Sequence, residues 1–202
     1  MKKFILLSDL DDVVENLLPT WIKMLNFMNA DNPDFIPKHP EEITSWDVQN
    51  FFPMLTIDEV FAPLNTDLIW KMITPKPGAT RVVKKYNDMP DVDFRIVTAS
   101  HYSSIPAKRE FLRRYFPFIS WNQVIVCSNK QMIKGNVLLD DSPRNLIGGD
   151  YKGILFRAPH NLSFDASIYP YITRVDGWND AEIVLDKMID DWRKEQKENG
   201  KS

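Results

Sequence analysis

Phe4-Ile5-Leu6-Leu7-Ser8-Asp9-Leu10-Asp11-Asp12-Val13 is a short apolar run that stops on acids. A strand buried on both faces of a parallel sheet has this form, with polar residues only where it emerges. The preceding Met1-Lys2-Lys3 makes the segment look like the start of a secretory leader. A leader needs an uninterrupted apolar core of about 7–15 residues, and here Ser8-Asp9 ends the run after Leu7. No stretch approaches the roughly 20 apolar residues of a membrane helix. The chain is therefore expected to be cytoplasmic and free of the membrane.

Downstream of the acids, Val14, Leu17, Leu18, Trp21, Ile22, Leu25 and Met28 recur at helical spacing, with Pro19 as a kink or break. The next segment reads differently. Prolines at 33, 37, 40, 53, 63, 75 and 77 alternate with Trp46, Phe51, Phe52, Phe61 and Trp70. This composition suits short helices and loops, and Thr56-Ile57-Asp58-Glu59 is a capped helix start. From Pro77-Gly78 onward, helices alternate with strands. Helices are predicted over 79–89, 105–115 (with an outward basic face) and 180–192. Strands are predicted over 94–98, 123–127, 136–139 and 153–156. The polar end, Arg193 to Ser202, is expected to fray. Strands alternating with helices predict an α/β protein, a Rossmann-like parallel sheet with helices on both faces. Residues 1–14 and 77–202 form the expected core. Residues 15–76 form an expected helical cap, inserted after the first strand over the sheet edge where ligands bind.

Composition narrows the chemistry. The chain has 202 residues, 25 Lys and Arg against 28 Asp and Glu, and a net charge of −3. This balance excludes a generic basic face for a nucleic acid polymer, but a small phosphorylated ligand needs only one or two local cations. Cys127 is the single cysteine and can form neither an internal disulfide nor a cysteine zinc site. His39, His101 and His160 lack metal-ligand spacing.

Four features fall at the ends of predicted strands: Asp9 with Asp11, Thr98-Ala99-Ser100, Lys130, and Asp140-Asp141. Taken singly, each has a plainer reading as a helix cap, a turn residue or a surface lysine. Taken together they form a site. Strand ends converge, so the acids at 9, 11, 140 and 141 crowd one another and call for a cation. All-oxygen ligands with open water positions suit Mg²⁺. Thr98 and Lys130 would bind a phosphate beside it. Asp9 could then attack phosphorus as a nucleophile, with Asp11 as general acid and base.

These same residues resemble the motifs of the haloacid dehalogenase-type phosphotransferases. Their order and spacing are similar to one branch, the 5′(3′)-deoxyribonucleotidases. Lys130 precedes the acid pair as it does there, and Leu139-Asp140-Asp141-Ser142-Pro143 and Leu155-Phe156-Arg157-Ala158-Pro159-His160-Asn161 match two further stretches. The resemblance implies a Mg²⁺-dependent phosphomonoesterase acting on (deoxy)nucleoside monophosphates through an aspartyl-phosphate. Asp9 would be the nucleophile and Asp11 the acid/base. Mg²⁺ would rest on the Asp9 carboxylate, the Asp11 main-chain carbonyl and Asp141, with Asp140 supporting the metal shell. Thr98, Ala99, Ser100 and Lys130 would face phosphate, and Trp46 of the cap the base. Family members are often dimers, so a homodimer is compatible with the resemblance. Asp12 stands where the family commonly has glycine, and Ala99-Ser100-His101 departs from the Thr-Ser-Pro type. The alternatives are another small phosphate ester as substrate, or a phospho-acceptor module of the response-regulator type. The latter carries its acid pair on the first strand, whereas here the pair is on the fourth.

Overall fold

A computed structural model describes residues 2–199. Six strands form one wholly parallel sheet: β1 (Phe4–Ser8), β2 (Val92–Thr98), β3 (Val124–Val126), β4 (Val137–Asp140), β5 (Lys152–Phe156) and β6 (Ile172–Val175), in the order β3-β2-β1-β4-β5-β6. β1 lies inside the sheet between β2 and β4. The strand order reverses there, and that is where an open α/β sheet leaves a crevice at its carboxyl edge.

Alternation along the strands divides the interior into two layers. Phe4, Leu6, Phe94, Ile96, Leu139 and Phe156 face one layer, which also buries side chains of α4 (Ala79–Asn87), α5 (Ile105–Tyr115) and α7 (Trp178–Asn199). Leu7, Val97, Leu138 and Leu155 face the other, covered by the short α6 (Pro143–Leu146) and by loop side chains such as Tyr151 and Phe164.

The segment between β1 and α4 holds α1 (Leu17–Met28), α2 (Ile57–Phe61), α3 (Asp67–Met72) and short 3-10 turns. Pro19 lies in the first turn of α1, where a missing N–H costs nothing, so the helix is neither kinked nor broken there. Thr56 caps α2 as expected, its hydroxyl accepting from the Glu59 N–H while Glu59 reaches back. The segment leaves and returns side by side: Asn16 N–H donates to Thr74 O at 3.0 Å, and Lys76 N–H to Val14 O at 2.8 Å.

Two expectations change. β6 escapes prediction because Ile172-Thr173-Arg174-Val175 is a four-residue edge strand with only its ends buried. α7 continues past Arg193 to Asn199, anchored by Arg193 on Asp91 at 2.7 Å; Gly200–Ser202 lie outside the described residues.

At the return from the insertion, Gly78 adopts φ +83°, and a Cβ there would stand 3.3 Å from the Trp178 Cβ. Trp178 in turn donates from Nε1 to Val13 O at 2.7 Å, fastening α7 to the loop after β1. Gly78→Ala should cost at least roughly 1–2 kcal/mol, the penalty of a left-handed L-residue, measurable as a lower urea midpoint at unchanged slope.

Candidate active site

The β1 ladder runs one residue past its end, with Asp9 N–H donating to Leu139 O at 2.8 Å. The chain then makes a tight turn closed by Val14 N–H on Leu10 O at 2.9 Å. Asp12 sits in that turn at φ +54°, a conformation that glycine, asparagine and aspartate tolerate best. Its carboxylate accepts from Leu18 N–H at 3.0 Å and so supports the start of α1. Burial lifts the Asp12 pKa to about 6, against the pull of Lys76.

The acids meet as the strand ends dictate. Asp9, Asp140 and Asp141 are buried and each offers an oxygen within 4.8 Å of the others. Lys130 is buried among them rather than on the surface. Its Nζ donates to Asp140 Oδ2 at 2.7 Å and forms an ion pair with Asp9 Oδ1, also 2.7 Å away. Asp140 is fully engaged, because its Oδ1 also accepts from Ser142 N–H and Asn145 Nδ2, both at 2.9 Å. Asp9 Oδ1 has the Lys130 ion pair alone, and Asp141 Oδ2 has no hydrogen-bond partner. Burial pushes the Asp9 pKa well up, opposed by Lys130 and reinforced by its acidic neighbours. Asp141 is raised by burial and by Asp140. Burial would lower Lys130, but Asp9 and Asp140 outweigh it and hold the ammonium charged.

Asp11 lies on the other side of Asp9 and pairs with Lys108, Nζ to Oδ2 at 2.6 Å. Lys108 also donates to Thr98 Oγ1 at 3.0 Å. Burial would raise Asp11, but the Lys108 ammonium prevails, and the Asp11 pKa falls. The sequence pattern assigns Lys108 to an outward basic face, and the structure corrects this. Phe111 and Leu112 are buried on α5, and Lys108 lies three and four residues before them, so helical spacing puts it on the inner face.

Asp9, Asp11, Asp141, Lys130 and Ala99 line a cavity of about 540 Å³, closed on its far side by Leu17, Leu18, Trp21, Trp46 and Val48. Trp46 is thus brought to the acids. Thr98 is buried behind the wall, its hydroxyl shared with Lys108 and with Ser100 Oγ at 3.2 Å. Ser100 faces an adjoining cavity with Asp11 and Lys108. His101 is exposed and caps a short turn.

The clustered carboxylates of Asp9, Asp140 and Asp141 fit a hard divalent cation, which would relieve repulsion that Lys130 only partly offsets. The parallel α/β sheet thus carries a buried cluster of acids around one lysine at its switch point, a class of site suited to binding a phosphorylated ligand with a cation. Residues 3–189 match the model of the family "5′ nucleotidase, deoxy (Pyrimidine), cytosolic type C protein". The chain belongs to this family and is a phosphoric monoester hydrolase. It is 33% identical over 185 residues to a 5′(3′)-deoxyribonucleotidase of Bacillus subtilis, covering 92% of this chain and 99% of that one. A Clostridium acetobutylicum protein of the same name is 27% identical over 190 residues, 94% and 99% of the two chains. Among solved structures, a haloacid dehalogenase-family hydrolase of Deinococcus radiodurans, with bound phosphate and sodium, matches at TM-score 0.61 and 14% identity, covering 92% and 96%. A haloacid dehalogenase-like protein of Agrobacterium tumefaciens matches at TM-score 0.66 and 12% identity, covering 93% and 99%. Among the described residues, no helix is long and apolar enough to cross a membrane.

Lys130→Met should lower stability in metal-free buffer by about 3–5 kcal/mol, because it strands two buried carboxylates. Urea denaturation followed by tryptophan fluorescence measures it.

Proposed function

We propose that the chain is a Mg²⁺-dependent phosphatase of nucleoside monophosphates, working through an aspartyl-phosphate on Asp9. The observation that carries this reading is the buried Lys130 held between Asp9 and Asp140 at the reversal of strand order, with Asp141 Oδ2 beside them left without a hydrogen bond. Asp9, Asp141 and the Asp11 carbonyl would hold Mg²⁺, which when bound neutralises phosphoryl oxygens. Asp140, whose oxygens are already occupied, supports the shell.

In the first step an Asp9 carboxylate oxygen attacks phosphorus, the bond to the ester oxygen breaks, and Asp11 protonates the departing alcohol. In the second, Asp11 takes a proton from water, the oxygen of that water attacks phosphorus, and the Asp9–phosphorus link breaks to free orthophosphate. Lys108 holds Asp11 as its carboxylate at rest, so Asp11 takes up a proton from solvent as substrate binds, gives it to the leaving alcohol in the first step, and regains one from water in the second. The first step requires Lys108 to turn from Asp11 toward the incoming phosphate. Lys130 steadies charge on the transferring group.

Residues 15–76 act as a cap over this chemistry. The side-by-side connectors at Asn16–Thr74 and Val14–Lys76 give the cap a two-stranded stem beside the acids. The apolar wall of Leu17, Leu18, Trp21 and Trp46 supports a substrate with a flat apolar portion, as a nucleobase has. The relatives' name, 5′(3′)-deoxyribonucleotidase, points the same way.

A phosphate-release screen over nucleoside monophosphates and sugar phosphates, with Mg²⁺ and with excess chelator, tests the reading. Deoxynucleotides should lead and chelation should abolish turnover; full activity in chelator would remove the metal assignment. Asp9→Asn should fold and be inactive, since it removes charge but little volume. Trp46→Ala should lower kcat/KM for the best nucleotide by about tenfold to a hundredfold, the loss of one stacking contact. It should spare p-nitrophenyl phosphate, which carries no nucleobase. An equal fall on both substrates would make Trp46 part of the cap's framework instead.

A further inference from the structure

The turn Pro159–Asn161 touches the acid pair from behind. Asn161 Nδ2 donates to the Asp141 main-chain oxygen and to Phe156 O, both at 2.7 Å. Arg174 fixes this residue in turn, donating to Asn161 Oδ1 at 2.7 Å and to its carbonyl at 2.9 Å. The Asp141 backbone is therefore held rigidly. Its carboxylate is not.

The side chain that approaches this carboxylate is His160. Its Nε2 stands 3.1 Å from Asp141 Oδ2, both side chains being 1% exposed. Yet both atoms lack a hydrogen-bond partner, because the ring is out of line for one. Rotation of the imidazole would complete the bond. The imidazole is not free to rotate at will, because the half-exposed Trp46 lies against it, ring centroids 3.9 Å apart and planes tilted by 41°. Trp46 comes from the segment inserted after β1, whose turn Pro40–Glu42 packs on the Pro159–Asn161 turn. One buried ring thus has an aromatic that lines the cavity on one side and a free carboxylate oxygen on the other.

We propose that His160 is a positioning residue that links Trp46 to Asp141, so that the setting of the cap aromatic governs how Asp141 receives its cation. The inference rests on Asp141 as a metal ligand. A ligand's orientation is set by the group behind it, and removing such a group commonly weakens metal binding by about 10–100-fold. By reciprocity, a substrate that seats Trp46 tightens the cation, and the cation tightens the substrate.

The test uses the full chain and the metal alone, reading the Mg²⁺ concentration that gives half the maximal rise in Tm. His160→Phe keeps a ring for Trp46 and removes Nε2; it should raise that concentration about tenfold. His160→Gln, which keeps an N–H donor, should recover most of the loss. Trp46→Ala should raise it by a smaller factor, and should add nothing in the His160→Phe background. Equal half-saturation in wild type and His160→Phe overturns the role of His160. Additive losses in the double variant overturn the link to Trp46. Trp46 is half exposed, so Trp46→Ala carries the test if His160→Phe fails to fold, and unchanged Mg²⁺ half-saturation in it overturns the proposal. Absence of any Mg²⁺ shift in the wild type removes the metal reading itself, and the inference with it.

Discussion

Lys130 holds together a group of side chains that would otherwise drive the strand ends apart. A parallel sheet with β1 between β2 and β4 delivers Asp9, Asp140 and Asp141 to one place. Buried carboxylates at such distances repel strongly, since little water screens them. The ammonium between Asp9 and Asp140 answers part of that repulsion. Its bond to Asp140 also organises the chain beyond β4, because the same carboxylate accepts from Ser142 N–H and Asn145 Nδ2 at the start of α6. Asp141 Oδ2 is left with no hydrogen-bond partner. A buried site left short of positive charge is costly to the fold and useful for binding, because a cation gains there what it would not gain in water.

Lys108 repeats this logic on the opposite side of the crevice. It links its own helix α5 and Thr98 at the end of β2 to Asp11 after β1, which is 97 residues away in the chain. The two lysines give Asp9 and Asp11 different environments. At Asp9 burial prevails over the pull of Lys130, whereas at Asp11 burial is overcome by the pull of Lys108 and its neighbours. Divergent environments for neighbouring carboxylates are how one site supports two different roles.

The inserted segment contributes shape more than charge. Its aromatic and aliphatic side chains close the cavity opposite the acids, and its connectors pair beside Glu15 and Lys76. The tight turn at Asp12 makes that exit geometrically feasible. Aspartate there accepts a left-handed backbone and offers a carboxylate to the first turn of α1.

Much of this was legible in the amino-acid order. Apolar runs ending on polar residues marked β1, β2 and β4, and parallel strands must place those ends at one edge, so Asp9, Asp11, Lys130, Asp140 and Asp141 could be brought together from pattern alone. Short-range chemistry was legible too, as in the Thr56 cap and the helix over 105–115. β6 was not, because an edge strand needs apolar residues on few of its positions and gains its bonds from a neighbour. Nor was the inward course of Lys108, whose long apolar stem can lie along a helix face while its charge seeks a partner from another strand. The partnerships of His160 with Asp141 and Trp46, and of Arg174 with Asn161, join residues from separate elements. Local sequence specifies which faces are apolar and where the chain turns. Which polar group meets which across those turns depends on packing distances of a few ångströms, and these exist only once the layers have closed.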